Sequence, residues 1–370
     1  MNRNLCRNLT ATLLASLTLG AAPLAQGQTN SLGLDYSLNL LSFGNFLVPR
    51  ADVQGRVAVG GDASIANYSI NTVSGTQATY GGTGLTVGGN LNFSSGTTWG
   101  NTVVGGNLST GAGASFGGNI QVGGNLNANG NWLTAATNPA TNNWMTPANI
   151  SYGGSVSGVQ QWQDPAPVAV AASSVQLGIN FAAEQQRLTS LSQSFDSLAN
   201  SGVGTNPWSG TLFFDAKGAD LAVFDLASAD VAKNLQLDNL GANTTVILNV
   251  HGQSIDFGAH GYGNFVGGHV LFNLPEATQV TFASSVFASF LAPLAQFYTP
   301  IGGLISGQVV VAGWEGAGQV NDLAFTGNVA AVPEPETYAL MLAGLIMVAG
   351  ATRRRRLLDV AVRRELEPVH

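Results

Sequence analysis

Three histidines recur at nine-residue intervals and could together hold a zinc ion. They are His251, His260 and His269, with Asp256 among them. Zinc is held only where its nitrogen, sulfur or oxygen ligands all converge on one point. If nine residues make half of a coil, His251 and His269 share one face and His260 lies opposite. The spacing therefore favours polar residues at strand edges, and we expect neither a metal nor a cofactor.

Four aspartates recur every five residues and offer the oxygen ligands that calcium prefers. They are Asp215, Asp220, Asp225 and Asp230. Calcium loops place such ligands at alternate positions of a short segment, and the Gly-rich nonapeptide calcium repeats are absent from the sequence. The spacing predicts aspartates that cap or close turns.

Acid–base catalysis needs carboxylates gathered in one groove, together with arginine or lysine in β-helical polysaccharide lyases. Only the segment 215–238, with Lys217 and Lys233, could supply these groups. The Gly-Gly-Asn segments described below resemble phosphate loops, but no Gly-Lys-Ser/Thr follows any of them. The sequence therefore favours a protein without catalytic activity, and a β-helical lyase or hydrolase is an alternative.

Charged side chains make up only 9% of the chain, and their distribution excludes nucleic-acid binding. Residues 28–332 contain five basic and fifteen acidic residues, the opposite of what a phosphate-binding surface needs. Residues 63–163 contain no charged residue and no histidine. Such a surface can present hydroxyls and amides to glycans, to other surfaces or to copies of the chain. We expect the working face within residues 80–131, and a solvated coat without a partner is the alternative.

The N-terminal segment 1–27 has the pattern of a secretory signal peptide. Arg3 and Arg7 precede an apolar run from Leu9 to Ala22, and Ala25-Gln26-Gly27 supplies small residues for cleavage. The single cysteine, Cys6, would leave with this segment. The mature chain is therefore expected to have no disulfide and no cysteine-bound metal.

The C-terminal region places three unlike features in order. They are Val332-Pro333-Glu334-Pro335-Glu336, an apolar run at 338–352, and Arg353-Arg354-Arg355-Arg356. A helix over the apolar run would be a short membrane span, and the arginines would keep the tail, residues 357–370, in the cytoplasm. The arrangement resembles the PEP-CTERM sorting signal of Gram-negative bacteria over residues 332–356. The resemblance implies processing by exosortase, a membrane protease-transpeptidase, near Pro333 to Pro335. A plain C-terminal anchor is the alternative.

A short motif repeats along the first half of the chain. Its copies are Val59-Gly60-Gly61-Asp62, Val87-Gly88-Gly89-Asn90, Val104-Gly105-Gly106-Asn107 and Val122-Gly123-Gly124-Asn125, with a weaker one at Phe116-Gly117-Gly118-Asn119. The last three main copies follow one another at nearly equal intervals, and the first interval is longer. Alternating apolar residues around a Gly-Gly-Asn corner predict short strands joined by bends in which glycine adopts a positive φ. A repeat of this length is typical of one coil of a β-solenoid, and an antiparallel meander is the alternative.

The segment from Ile179 to Asn200 predicts one amphipathic helix that lies along the solenoid and covers an apolar flank. Its apolar residues at helical spacing are Phe181, Leu188, Leu191, Phe195 and Leu198. Strand-like runs follow at 246–250, 270–274, 286–291 and 309–312. Residues 28–331 are therefore expected to form one mainly β domain, a parallel β-helix with one long flanking helix. An N-terminal signal helix and a C-terminal transmembrane helix would complete the chain.

Several segments, in this order, resemble the choice-of-anchor A domain over roughly residues 33–328. They are Phe43–Phe46, Asp52–Asp62, the intermediate helix, Val246–Val250, and Phe290–Pro293 leading to Ile305–Val310. The resemblance implies an adhesive β-helical domain that uses alternative C-terminal anchors and has no established catalytic residues.

Together with the sorting signal, this resemblance predicts a protein exported across the inner membrane and held there briefly by its C-terminal helix. It would then act at the cell surface or in the biofilm matrix, as an adhesin or an exopolysaccharide-associated structural protein. Ice binding is a further alternative, but Thr97, Thr98 and Thr102 do not recur in a fixed frame.

Overall fold

The computed structural model describes residues 30–35, 37–72, 82–138, 143–145, 149–206 and 210–329. The predicted signal peptide, the Pro-Glu-Pro motif, the C-terminal apolar run, the arginine cluster and the tail lie outside the described residues. Within the described part of the chain, no helix is both long and apolar enough to span a membrane.

The described chain is mainly β, as predicted. Its strands are β1 (Leu38–Ser42), β2 (Phe46–Val48), β3 (Ala51–Val53), β4 (Arg56–Val59), β5 (Ala63–Ile65), β6 (Tyr68–Ile70), β7 (Thr83–Val87), β8 (Leu91–Thr98), β9 (Asn101–Val104), β10 (Leu108–Phe116), β11 (Ile120–Val122), β12 (Leu126–Asn127), β13 (Thr134–Asn138), β14 (Asn143–Met145), β15 (Ile150–Tyr152), β16 (Val156–Ser157), β17 (Val168–Ala169), β18 (Thr211–Asp215), β19 (Leu221–Ala227), β20 (Asn234–Asp238), β21 (Thr245–His251), β22 (Ser254–Phe257), β23 (Tyr262–Gly263), β24 (Val270–Asn273), β25 (Gln279–Phe282), β26 (Ser285–Val286), β27 (Ser289–Thr299), β28 (Leu304–Ser306), β29 (Val309–Gly316) and β30 (Gln319–Asn321). A 3-10 helix spans Ala172–Ser174 and the α-helix α1 spans Phe181–Asp196.

The strands stack in parallel, coil upon coil, on three sides of one core. Sheet A has the order β19-β21-β24-β27-β29-β1-β4-β7-β9-β11-β15-β17. Sheet B has the order β22-β25-β27-β29-β2-β5-β8-β10-β12-β16. Sheet C has the order β26-β28-β30-β3-β6-β8-β10-β13, and β18-β20-β23 form a separate three-stranded sheet. Long strands such as β8 and β27 turn a corner and belong to two sheets.

The sequence repeat corresponds to one coil. Val59 pairs with Val87, Val87 with Val104, and Val104 with Val122, so each interval between copies of the motif is the length of one coil. All of these pairings are parallel, so the antiparallel meander is excluded for this region.

The order of coils in the stack differs from their order in the chain. The first strand, β1, lies between β29 and β4, so that Leu41 pairs with both Val310 and Ala58. The chain therefore starts in the middle of the solenoid and winds to one end, at β17. It then returns alongside the stack and winds back to the middle from the other end.

Inward side chains alternate with outward ones and form one continuous core. Its largest members, all fully buried, include Phe46, Phe93, Phe116, Phe290 and Trp314. Aromatic rings contact one another from coil to coil; the rings of Phe297 and Trp314, for example, stack with centroids 5.6 Å apart. Such contacts add to the free energy gained from burying apolar area.

The helix α1 covers the outer face of sheet A, as predicted. An outward row of that sheet, including Ile247, Leu271 and Leu291, forms a second apolar cluster with Leu188 and Phe195 of the helix. The helix is shorter than the predicted 179–200. Asn180 caps its first turn, because its Oδ1 accepts a hydrogen bond from the Ala183 N–H at 3.2 Å. It ends at Asp196, because the chain then joins the edge of β19, where the Ser201 N–H donates to the Val223 carbonyl at 2.7 Å.

A candidate binding surface without charge

The Gly-Gly-Asn motifs stack on one another at the corner between sheets A and B. In each step, a side-chain oxygen of one coil accepts a hydrogen bond from a backbone N–H of the next coil. The steps are Asp62 N to Asn45 Oδ1 at 2.9 Å, Asn90 N to Asp62 Oδ1 at 2.7 Å, Asn107 N to Asn90 Oδ1 at 2.9 Å, Asn125 N to Asn107 Oδ1 at 2.8 Å, and Ser155 N to Asn125 Oδ1 at 2.8 Å. We call this row the asparagine ladder. It holds the corner in register along six successive coils.

The glycines of the ladder are required for close packing, and the predicted positive φ is wrong. The main-motif glycines all lie outside the positive-φ region: Gly60, Gly61, Gly88, Gly89, Gly105, Gly106, Gly123 and Gly124. A Cβ added to Gly105 would lie 2.5 Å from the carbonyl oxygen of Gly88, and one on Gly106 would lie 2.7 Å from Asn90 Oδ1. The coils approach so closely at this corner that a side chain has no room.

The weaker copy, Phe116 to Asn119, forms a second and shorter ladder at the corner between sheets C and A. The Asn119 N–H donates to Asn101 Oδ1 at 2.9 Å, and the Asn149 N–H donates to Asn119 Oδ1 at 3.0 Å. Two of the three corners of the N-terminal half are therefore fixed by asparagine side chains.

Between these corners, sheets B and C present neutral outward rows to solvent. The row on sheet B is Leu47, Ser64, Asn92, Ser109, Asn127 and Ser157. The row on sheet C includes Ser69, Thr97 and Ser115. Neighbouring members of a row are about 4.8 Å apart, the spacing of strands in a sheet. We call the two rows the neutral surface.

On the sheet A side of residues 80–131, Thr86 and its register partner Val103 are buried and do not belong to this surface. Thr86, which falls inside the predicted working face, is only 6% exposed. The chain leading into α1 lies over this corner, because Leu177 approaches Gly105 and Phe181 approaches Gly60. The neutral surface is therefore defined on sheets B and C, and on sheet A exposure begins again only at Gln121.

One Gly-x-Ser-x-Gly pattern occurs on the neutral surface, at residues 113–117. A hydrolase nucleophile of this pattern sits on a sharp turn between a strand and a helix. Ser115 instead lies within β10, in register with Thr97 and Thr134. Ser115 therefore does not sit on the strand-to-helix turn that a nucleophile of this pattern needs.

The three histidines with nine-residue spacing do not share a site. One coil in this region runs from Val246 to its register partner Val270. This coil is longer than the interval from His251 to His269, so nine residues are less than half of a coil. His251 and His269 therefore do not stack on one face. The Nδ1 of His251 lies 3.7 Å from Asp196 Oδ1 and its Nε2 lies 3.8 Å from Asp225 Oδ1. His269 Nε2 is 3.5 Å from Thr326 Oγ1. Among the described residues, no group of three or more histidine, cysteine or acidic side chains could hold a metal ion.

The regularly spaced aspartates make separate turn contacts. Asp215 accepts hydrogen bonds from Asn239 Nδ2 at 2.8 Å and from the Lys217 N–H at 2.9 Å, which lower the pKa of its carboxyl. Asp230 accepts from the Ala227 N–H and pairs with Lys233 at 2.9 Å. Asp225 accepts from Asn200 and Asn249. Asp220 is exposed, and its carbonyl oxygen accepts from the Thr245 N–H at 2.8 Å.

Two exposed tryptophans, which the sequence patterns did not single out, lie at the end of the N-terminal half. Trp132 is 45% exposed and Trp162 is 76% exposed. The coil between them runs from Leu126 to its register partner Val156. Because this coil is longer than the coils before it, the two tryptophans do not fall into the shorter repeat of the Gly-Gly-Asn motifs. Trp132 follows the ladder residue Asn125 by seven residues, and Trp162 follows Ser155 by seven residues. This equal spacing is the sequence signal that could have shown that the two tryptophans occupy equivalent positions.

The comparison with known families identifies an adhesive domain. The profile of the family described as "Putative Ice-binding-like adhesive domain" matches residues 32–322. No curated protein matches the sequence significantly. A solved structure that matches is "Crystal structure of ice binding protein from an Antarctic bacterium Flavobacteriaceae", with 11% identity over 82% of this chain and 100% of that chain. Its TM-score of 0.27 is too low to bear on the fold or the function of this chain.

Proposed function

Because the chain belongs to the ice-binding-like adhesive domain family, we propose that it is a non-catalytic adhesion protein that binds an extended neutral polymer through its neutral surface. The observation that carries this proposal is the register of outward hydroxyl and amide groups along sheets B and C. Ser64, Asn92, Ser109 and Asn127 occupy equivalent positions in four successive coils. A polymer with regularly spaced hydroxyls could pair with such a row at several points.

The rigidity of the surface supports binding. The ladder bonds between successive coils, such as Asn125 N to Asn107 Oδ1 at 2.8 Å, hold the strands before any ligand arrives. A preorganised surface loses little conformational entropy when it binds, so more of the interaction energy is retained as affinity. The lack of charge from residue 63 to residue 163 suits a neutral partner, because a charged polymer would find no counter-charge there.

The partner in this proposal is the exopolysaccharide of the producing cell or another surface glycan. The signal peptide would export the chain, the apolar run 338–352 would hold it briefly in the inner membrane, and exosortase would process it near Pro333 to Pro335. The mature domain would then remain at the cell surface or in the biofilm matrix. The support for this route is the order of the terminal sequence features.

Ice binding is the second candidate, favoured by the family description. The outward rows argue for a polymer instead, because they mix serine, asparagine and Leu47 rather than repeating one residue type. Two of the threonines, Thr98 and Thr102, are fully buried and cannot contact a surface.

A pull-down experiment with purified residues 28–332 tests the proposal. The immobilised targets are the producer's own exopolysaccharide, an unrelated charged glycan and ice. We expect saturable retention on the native polymer and little on the other two. Retention on ice alone would support the second candidate, and retention on none of the targets would contradict adhesion to a polymer.

A further inference from the structure

Trp132 and Trp162 occupy equivalent places in successive coils. Six residues before them, Leu126 and Val156 are register partners in sheet B. The same alignment continues beyond the strands, because the Gly130 N–H donates to the Gly158 carbonyl at 2.7 Å and the Leu133 N–H donates to Gln163 Oε1 at 2.8 Å. The backbone on both sides of Trp132 is thus tied to the coil that carries Trp162.

The exposure of these indoles contrasts with the burial of another tryptophan, Trp314. Trp314 is fully buried in the core, whereas Trp162 leaves 76% of its surface in water. Burying apolar area would stabilise the folded protein by about 25 cal/mol for each Å², and an exposed ring does not make this contribution. Two large exposed indoles at equivalent positions of successive coils therefore indicate a recognition role.

Several amide side chains lie within three residues of the indoles in the chain. Asn129 is held by hydrogen bonds from its Nδ2 to Ser109 Oγ and to the Thr110 carbonyl, both at 2.9 Å. Gln160 donates to the Gly130 carbonyl, and Asn131 follows on the same turn. Asn129 and Asn131 are exposed or half-exposed, so their remaining polar atoms can meet a ligand. Fixed amides beside an aromatic face provide both hydrogen bonds and an apolar contact.

The charge around the site restricts the class of ligand. No lysine or arginine occurs between Arg56 and Arg187, and the first charged residue after the neutral stretch is Asp164. Nucleic acids and sulfated or carboxylated polymers need basic groups, so the site does not suit them. A neutral sugar ring has an apolar C–H face that fits against an indole and hydroxyls that fit amides.

We propose that Trp132 and Trp162 form a stacking platform for two sugar rings of a neutral polysaccharide chain, with Asn129, Asn131 and Gln160 contacting its hydroxyls. The platform deepens the proposed adhesive function and rests on it. It gives the polymer an aromatic binding site next to the neutral surface. The two tryptophans follow β12 and β16, the last two strands of sheet B.

Isothermal titration of residues 28–332 tests the platform, with cellohexaose and the producer's purified exopolysaccharide as probes. The variants are Trp132→Ala and Trp162→Ala, and Phe287→Ala is the matched control because it removes an exposed aromatic ring, 54% exposed, from the other half of the stack. We expect each tryptophan variant to weaken binding of a probe at least tenfold and the control to leave it unchanged. Thermal unfolding should show that every variant is folded, with the smallest change for Trp162→Ala, whose ring is 76% exposed.

The possible failures are distinguishable. If the wild type binds a probe and both tryptophan variants bind it equally well, the platform is wrong while the adhesive function stands. If the wild type binds neither probe and nothing in the pull-down, both proposals fail. If the wild type dimerises with concentration in sedimentation and the tryptophan variants do not, the rings serve a second copy of the chain and the saccharide platform is overturned.

Discussion

Leu41 and Val310 are paired neighbours in sheet A although they belong to opposite ends of the described chain. On its other side Leu41 pairs with Ala58 of the next coil. The first coil of the chain is therefore an interior coil of the stack, with a partner above and below. Its stability depends on the last coil as much as on the second.

Hydrogen exchange should show this position directly. The amides of β1 should be protected as strongly as those of central strands, because opening β1 requires separating two sheet interfaces. Strand β17 is the control, since within the described residues it pairs only with β15. We expect exchange in β1 to be at least ~100-fold slower than in β17. Equal exchange rates would show that the two halves do not stack as described.

Gly105→Ala tests the close approach of coils at the ladder corner. The new Cβ would lie 2.5 Å from the Gly88 carbonyl oxygen, so the coils must separate. We expect a loss of about 1–3 kcal/mol in the free energy of unfolding, measured by denaturant titration. Gly202→Ala is the control, because its Cβ would meet nothing closer than Phe224 at 4.0 Å and its φ is not positive. Equal effects of the two substitutions would contradict the packing role of Gly105.

Asn107→Ala tests the ladder itself. The substitution removes the acceptor of the Asn125 N–H at 2.8 Å and the donor to Asn90 Oδ1 at 3.0 Å. We expect a loss of about 1 kcal/mol in the free energy of unfolding. Asn92→Ala, on the exposed row of sheet B, should change stability by less than about 0.5 kcal/mol. If the two variants are equally stable, the ladder bonds do not hold the corner.

Asp322→Asn should stabilise the protein at neutral pH. Burial raises the pKa of the Asp322 carboxyl, so the folded state binds its proton more tightly than the unfolded state does. The ionised carboxyl therefore costs stability at pH 7, and that cost disappears as the pH falls through the raised pKa. Thermal unfolding should show a higher midpoint for the variant at pH 7 and a shrinking difference towards pH 4. A lower midpoint at pH 7 would contradict the assignment.

Asp35→Asn should have the opposite effect and lower the stability of the protein at neutral pH. Burial alone would raise the pKa of Asp35, but hydrogen bonds from Ser37 and the Arg56 guanidinium, 3.0 Å away, outweigh it and lower the pKa. The ionised form thus stabilises the fold at pH 7, and this contribution is lost as the pH falls below the ordinary value of 3.8. We expect a loss of less than about 1 kcal/mol at pH 7, because the pair is partly exposed. A variant that is more stable than the wild type at pH 7 would show that burial dominates.

Local sequence patterns were sufficient to predict the coils and the helix. The spacing of Val59, Val87, Val104 and Val122 is the length of the coils between them, because one motif recurs at the same corner of these coils. The helical spacing of Leu188 and Phe195 predicted the buried face of α1, because that face must cover an apolar row. Both features depend on residues close together in the chain.

Features set by distant contacts could not be predicted in this way. The pairing of Leu41 with Val310 depends on two segments that share no motif, so the middle position of the first coil was not apparent. The glycines were interpreted through φ, whereas the approach of the neighbouring coil decides their identity. Thr86 alternates with the core residues Leu85 and Val87, so the alternation predicts an exposed side chain, yet Thr86 is buried.

The central claim is that the neutral surface binds a polymer. The most direct test compares the affinities of two double-lysine variants for the producer's exopolysaccharide. Asn92→Lys with Ser109→Lys places two charges on register partners of the neutral surface. Gln279→Lys with Gln296→Lys places two charges on register partners of the same sheet in the other half. We predict that the first pair weakens binding at least tenfold and that the second pair leaves it unchanged. Equal affinities of the two variants and the wild type would contradict a polymer-binding role for the neutral surface.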